Sequence, residues 1–233
     1  MEYGMYLKYD SAMDIGLHGN WGELIEFSWS DIMYWTEKEE DDEEDDLKIG
    51  IFVWATYNQA LAKVYGINIS DIFVPGNRQP LQELDYTNIT QETINEIGAA
   101  SNPNIVIPVH FGINAAYRNK RLGEEIVKGF IEKMKGKCGY IIVTTNTPAQ
   151  FGQHSGPDSL YAKQGVELDS LEKDPEKAQW KLNAFWQRCG FKQFKNYDNV
   201  FICNIDQALP DCNEAMRAEN RLTAPRNRFN TSN

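Results

Sequence analysis

The stretch from Asn104 to Thr145 constrains the fold more than any other part of the chain. Asn104 to Ile113 (NIVIPVHFGI) is apolar and β-branched. That composition predicts a buried strand, weakened or bulged at Pro108 and Gly112, since proline cannot donate to a ladder and glycine has no side chain to pack. Leu122, Ile126, Phe130 and Met134 then recur at intervals of four, which predicts an amphipathic helix over Leu122 to Lys135 with Gly136 and Gly139 bracketing its end. Tyr140 to Thr145 (YIIVTT) reads as a second buried strand. Strand, basic turn, helix, strand is a βαβ-like order, and it brings two strands side by side.

The flanking sequence extends this α/β unit. Lys48 to Ala55 (KIGIFVWA) predicts a buried strand, and Asn58 to Tyr65 a short helix stopped by Gly66. Ser70 to Phe73 is positioned to open another helix, and Thr90 to Gly98 a further one. Residues 146 to 174 form a long polar connection. Pro175 opens a helix whose apolar stripe is Ala178, Leu182, Phe185, Trp186 and Cys189, and Gly190 ends it. Phe191 to Ile205 predicts a hairpin. The first 35 residues are aromatic and broken by glycines, consistent with short strands or loops.

Charge is confined. Glu37 to Asp46 (EKEEDDEEDD) holds nine acids and one lysine, so −8 of the formal −11 sits in ten residues, which predicts a solvated, mobile loop. The chain therefore divides into an aromatic N-terminal segment, 1–46, with the acidic loop 37–46; a domain over 47–206; and a C-terminal helix and polar tail over 207–233. No apolar run approaches the roughly 20 residues of a membrane helix, and MEYGMYLKYD lacks a basic region followed by an apolar stretch, so a secretory signal is not expected. Cys138, Cys189, Cys203 and Cys212 lack CxxC spacing, and His18, His110 and His154 are scattered. Reduced thiols in a cytoplasmic protein without a metal site are expected.

Against this background Tyr117 to Lys137 stands out, with seven basic and three acidic residues. Its turn, YRNKRLG, precedes a helix whose first N–H groups have no partner in the helix and whose dipole favours an anion. An ordinary solvated cap has the same composition. With the rest of the chain in order, however, the pattern resembles the GCN5-related N-acetyltransferase superfamily. There a central strand leads into an R/Q-x-x-G-x-G/A loop, matched here by Arg118-Asn119-Lys120-Arg121-Leu122-Gly123, with arginine in place of the first glycine. A later F-Y-x-x-x-G-F run is matched by Phe185-Trp186-Gln187-Arg188-Cys189-Gly190-Phe191. Pro148-Ala149-Gln150-Phe151 is similar to a Pro-x-Q-x segment of a poorly characterised bacterial branch of acetyltransferase-like proteins. The resemblance covers about residues 47 to 206.

The resemblance implies a mixed central sheet with splayed central strands, flanking helices and a C-terminal hairpin. It implies acetyl-CoA, or another acyl-CoA, as cosubstrate and transfer to an amine on a small molecule or a protein. The pyrophosphate would lie on Arg118 to Gly123, and the pantetheine against Phe111, Gly112 and Ile113. Gln179, or Asn183 one turn on, would supply amide contacts. His110 is the candidate base, with a histidine bonded within the core as the competing reading. Trp186 occupies the position of the family's tyrosine acid, and an indole cannot serve. Tyr161, Tyr197 or solvent replaces it, or the protein is an acetyltransferase-like scaffold that binds a partner. The acceptor is not specified by the sequence, and neither nucleic acid nor membrane is expected as a partner.

Overall fold

The computed structural model describes residues 3–10, 24–36, 46–66, 91–145, 148–151, 156–195 and 198–208. Among these residues seven strands form one mixed sheet: β1 Tyr3–Asp10, β2 Ile25–Thr36, β3 Leu47–Tyr57, β4 Ile105–Ile113, β5 Tyr140–Thr144, β6 Lys192–Gln193 and β7 Val200–Asn204. Their order is β1-β2-β3-β4-β5-β7-β6. The helices are α1 Gln59–Val64, α2 Gln91–Ile97, α3 Leu122–Met134, α4 Leu160–Lys163 and α5 Pro175–Arg188. The α/β class, the mixed sheet and the closing hairpin agree with the sequence. The segment before residue 47 adds two antiparallel strands to the same sheet, and β2, at twelve residues, is longer than its broken pattern suggests. Of the acidic run only Asp46 is described. The expected elements at Ser70 to Phe73 and beyond residue 208 fall outside the described residues, as do His18, His154, Tyr197 and Cys212. Among the described residues no helix is long and apolar enough to cross a membrane.

Local chemistry sets the helix ends. Asn58 caps α1, its side chain accepting from Leu61 N–H at 3.0 Å, and the chain leaves through Gly66 at φ +62°. Asp174 caps α5, accepting from Lys177 N–H at 3.1 Å, with Pro175 in the first turn where a missing N–H costs nothing. The buried stripe of α3 (Leu122, Ile126, Val127, Phe130, Ile131 and Met134) packs on one face of the sheet together with Trp186 and Cys189. Phe130 contacts Phe52 and Trp54, with ring centroids at 4.5 and 4.9 Å. Ala62 of α1 and Ile97 of α2 cover the other face, where Tyr161 of α4 also lies. Burial pushes the thiols of Cys138, Cys189 and Cys203 up to about 12, in keeping with unreactive core cysteines.

Two irregularities of β4 create the site. Its parallel pairing with β5 covers only Ile105↔Tyr140 and Val106↔Ile141. Beyond Val106 it pairs with β3 alone while β5 pairs with β7, so the two central strands splay. Its register against β3 also shifts, Val53 facing His110 and Trp54 facing Pro108, which leaves Val109 as an extra, exposed residue. The bulge inverts the alternation. Ile105 and Ile107 face α1 and α2, whereas Phe111 and Ile113 turn toward α3 and α5.

β3 and β4 approach closely just past this point. A Cβ on Gly50 would lie 2.2 Å from the Gly112 carbonyl oxygen. Gly50→Ala is therefore expected to lower stability by about 1–3 kcal/mol through backbone displacement. Gly129→Ala, in mid-α3 with nothing within 4 Å, should raise it by about 1 kcal/mol. Urea denaturation of the two variants checks both signs.

Candidate functional site

A groove of 550 Å³ runs from the end of β4 to the face of α5. Phe111, Gly112 and Ile113 form its floor, the start of α3 one wall, and the 166–172 segment with Pro148, Ala149 and Gln150 the facing wall. Ala178, Leu182 and Phe185 of α5 close the side, Phe185 stacking on Phe111 with centroids 5.9 Å apart and planes at 21°. Of the eleven residues expected to bind a cosubstrate, eight line this one groove: Phe111, Gly112, Ile113, Arg118, Asn119, Arg121, Leu122 and Gly123.

The turn before α3 has the geometry of an anion cradle. Asn119 and Arg121 both adopt left-handed backbone, at φ +60° and +62°. Asparagine tolerates that region, but arginine pays about 1–2 kcal/mol in steric strain. Arg121 thus holds a backbone conformation that glycine adopts without strain. Arg118 N–H bonds back to Ala115, and the α3 ladder begins with Glu124 N–H on the Arg121 carbonyl at 3.0 Å. The amides from Asn119 to Gly123 have no acceptor among the described residues. Successive N–H groups in such a turn form a concavity that attracts anions.

The side chains around the cradle divide into paired and unpaired charges. Arg188 bonds Glu124 at 2.7 Å and Lys181 bonds Glu172 at 2.6 Å. Lys181, hydrogen-bonded to Glu172, holds that carboxyl below the usual carboxylate range. Arg121 has no carboxylate partner among the described residues. Lys120 does not line the groove; its ammonium lies 5.3 Å from the centroid of the Tyr117 ring. Arg118 is engaged with the protein: Nε donates to the Ile113 carbonyl at 2.7 Å, Nη1 to Ser170 Oγ at 2.6 Å and Nη2 to the Glu167 carbonyl. Burial lowers its pKa from the ordinary value, with Glu167 opposing.

The remaining expected residues lie elsewhere. Gln179 and Asn183 turn toward the end of β5: Gln179 Nε2 donates to Thr145 Oγ1 and to Asn183 Oδ1, both at 2.8 Å, and Thr145 Oγ1 lies 2.7 Å from Asn183 Oδ1. His110 is on the opposite face of the sheet from α3 and α5, edge-on to the Tyr161 ring at 5.3 Å. Tyr161 and Val166 lie over Gly112, where a Cβ would come within 2.9 Å of each. Burial raises the Tyr161 phenol to about 12, only partly offset by the nearby Phe111 amide. Trp186 is core, 4% exposed among Phe185, Phe191 and Phe111. Lys181 and Arg188 are groove residues not singled out from sequence. Their seven-residue spacing along the edge of the Ala178-Leu182-Phe185 stripe is the signal that would have shown them.

No family model matches this sequence, and no curated protein does. Among solved structures the chain is similar to one described as the crystal structure of KacTA-DNA complex. That match has 11% identity and a TM-score of 0.38, and covers 93% of this chain and 99% of that one. A likeness this loose carries no argument about activity or partners.

Two outcomes follow from the site's geometry. Arg121→Gly should raise stability by about 1 kcal/mol in urea denaturation, strain relief outweighing the entropy of a freer unfolded chain, and Asn119→Gly should change it much less. Tyr161 has a native pKa above its unfolded value of about 10. Its contribution is therefore complete below that pH and lost as pH rises toward 12. Tyr161→Phe should reduce the alkaline loss of stability over that window, read from denaturation midpoints at pH 9 to 12.

Proposed function

We propose that this chain is an acyl-CoA-dependent N-acyltransferase, with acetyl-CoA as the expected donor and an amine as acceptor. The observation that carries the reading is the run of acceptor-free amides from Asn119 to Gly123, at the mouth of a groove that leads to the unpaired edge of β4. A diphosphate satisfies both the amides and the unpaired charge of Arg121. The apolar floor at Phe111 to Ile113 suits an extended pantetheine arm, whose amides would pair with the strand edge. The carboxylates Glu124 and Glu172 restrain Arg188 and Lys181, leaving Arg121 as the cation for the diphosphate.

The splay gives access to a thioester from both faces of the sheet. His110 is on the face opposite the groove, the side from which an acceptor amine would enter. In the transfer, the amine nitrogen forms a bond to the acyl carbon and the carbon–sulfur bond breaks. The sulfur leaves as thiolate, and the ammonium proton passes to His110 or to water. Strand N–H groups of β4 that point into the splay would polarise the carbonyl. Trp186 supplies no proton to the thiolate. Tyr161, at about 12, is a weaker acid than an ordinary thiol at about 8.5, so the thiolate leaves to solvent. The same burial of Trp186 supports the second reading, a scaffold that binds the cosubstrate and transfers poorly.

Titration calorimetry of the full chain with CoA and acetyl-CoA tests the proposal. Binding is expected, and Arg121→Ala should weaken it about 10- to 100-fold, the worth of a charged hydrogen bond. Absence of heat and of thermal shift at millimolar CoA overturns both readings. With binding established, CoA release across a panel of amines separates them. Release above background supports the enzyme; background release throughout supports the scaffold.

A further inference from the structure

Arg118 is the first residue of the loop matched to a phosphate-binding motif, yet its guanidinium bridges two backbone segments of the protein. One is the end of β4, through the Ile113 carbonyl; the other is the wall of the groove, through the Glu167 carbonyl and Ser170 Oγ. That wall has no regular structure of its own between α4 and α5. Two further side chains tie its ends: Lys48 Nζ donates to Gln164 Oε1 at 2.6 Å, and Gln150 Nε2 to the Glu172 carbonyl at 3.1 Å. Between these ends the segment places Val166, Leu168 and Leu171 in the groove, and Arg118 is the tie at its middle.

We propose that Arg118 is a positioning residue: its fork latches residues 166–171 to the end of β4 as the wall that holds the acyl-bearing arm, and the diphosphate is left to Arg121 and the amides. This rests on the acyl-CoA reading of the groove. A guanidinium presents donors on three nitrogens in a fixed plane, and here Nε and both Nη atoms each reach an acceptor. A lysine carries the same charge on one nitrogen and cannot span these acceptors. The Ile113 carbonyl is at the open side of the splay, so without the latch both β4 and the wall lose a fixed partner.

The test compares Arg118→Ala, Arg118→Lys and Arg121→Ala in the full chain, using ADP as a diphosphate probe, acetyl-CoA, and amide exchange read by mass spectrometry. Both Arg118 variants should raise exchange over 166–171 at least tenfold, keep ADP affinity within about threefold, and weaken acetyl-CoA more than tenfold. Arg121→Ala should lose ADP affinity and leave that exchange unchanged. An Arg118→Lys variant that binds ADP like the wild type, while Arg118→Ala loses it tenfold or more, makes Arg118 a phosphate ligand and overturns the proposal. Unchanged exchange in both Arg118 variants overturns it as well. If the wild type binds neither probe, the acyl-CoA reading fails and exchange alone decides whether the latch exists. Ser170→Ala, which removes one of the three bonds, should give a smaller rise in exchange and serves if Arg118→Ala does not fold.

Discussion

The divergence of β4 from β5 after Val106 is the constraint on which the rest of the site depends. A strand that leaves its neighbour exposes a row of backbone groups, and buried backbone groups require partners. At Ile113 the carbonyl takes Arg118 Nε. Over Gly112 the gap is filled by Tyr161 and Val166, which fit only because no Cβ stands there. The aromatic stack of Phe111 on Phe185 seals the helix side. The groove is what remains once those demands are met, and its walls are the elements recruited to meet them.

Charge around the groove follows a related economy. A cation-rich turn in an acidic chain would attract counterions indiscriminately, but most of its neighbours are already neutralised. Glu124 and Glu172 hold Arg188 and Lys181, and Arg118 is spent on carbonyls and a hydroxyl. Arg121 retains its charge at the cost of a left-handed backbone that glycine would adopt without strain. Strain kept at a residue facing a groove is more often tied to function than to stability.

Much of this was legible from sequence. The strand, turn, helix, strand order is read from apolar runs and from glycine and proline punctuation, and Gly66 and Pro175 stop and open their helices as expected. What was not legible depends on partners far along the chain. The bonds of Arg118 to Glu167 and Ser170, about 50 positions away, have no signal in the local sequence. The hydrogen bonds that join Gln179 and Asn183 to Thr145 at the end of β5 are likewise long-range and leave no local signal. β2 was obscured because its face-to-face alternation mixes serines and an aspartate with aromatics, and Ser30 is buried despite being polar.

The extra residue at Val109 has a consequence for how such a site is inherited. Upstream of it the odd-numbered residues of β4 look toward α1 and α2; downstream they look toward α3 and α5. Because side chains alternate with a period of two, His110 opposite Val53 and Phe111 opposite Phe52 keep their faces only because the extra residue is absorbed at Val109, and a one-residue slip of this downstream register against β3 would exchange their environments without altering either. The groove floor and the candidate base are thus indexed by the length of the strand as much as by its letters. An alignment that slides a gap past Val109 would align the two faces of the sheet with each other.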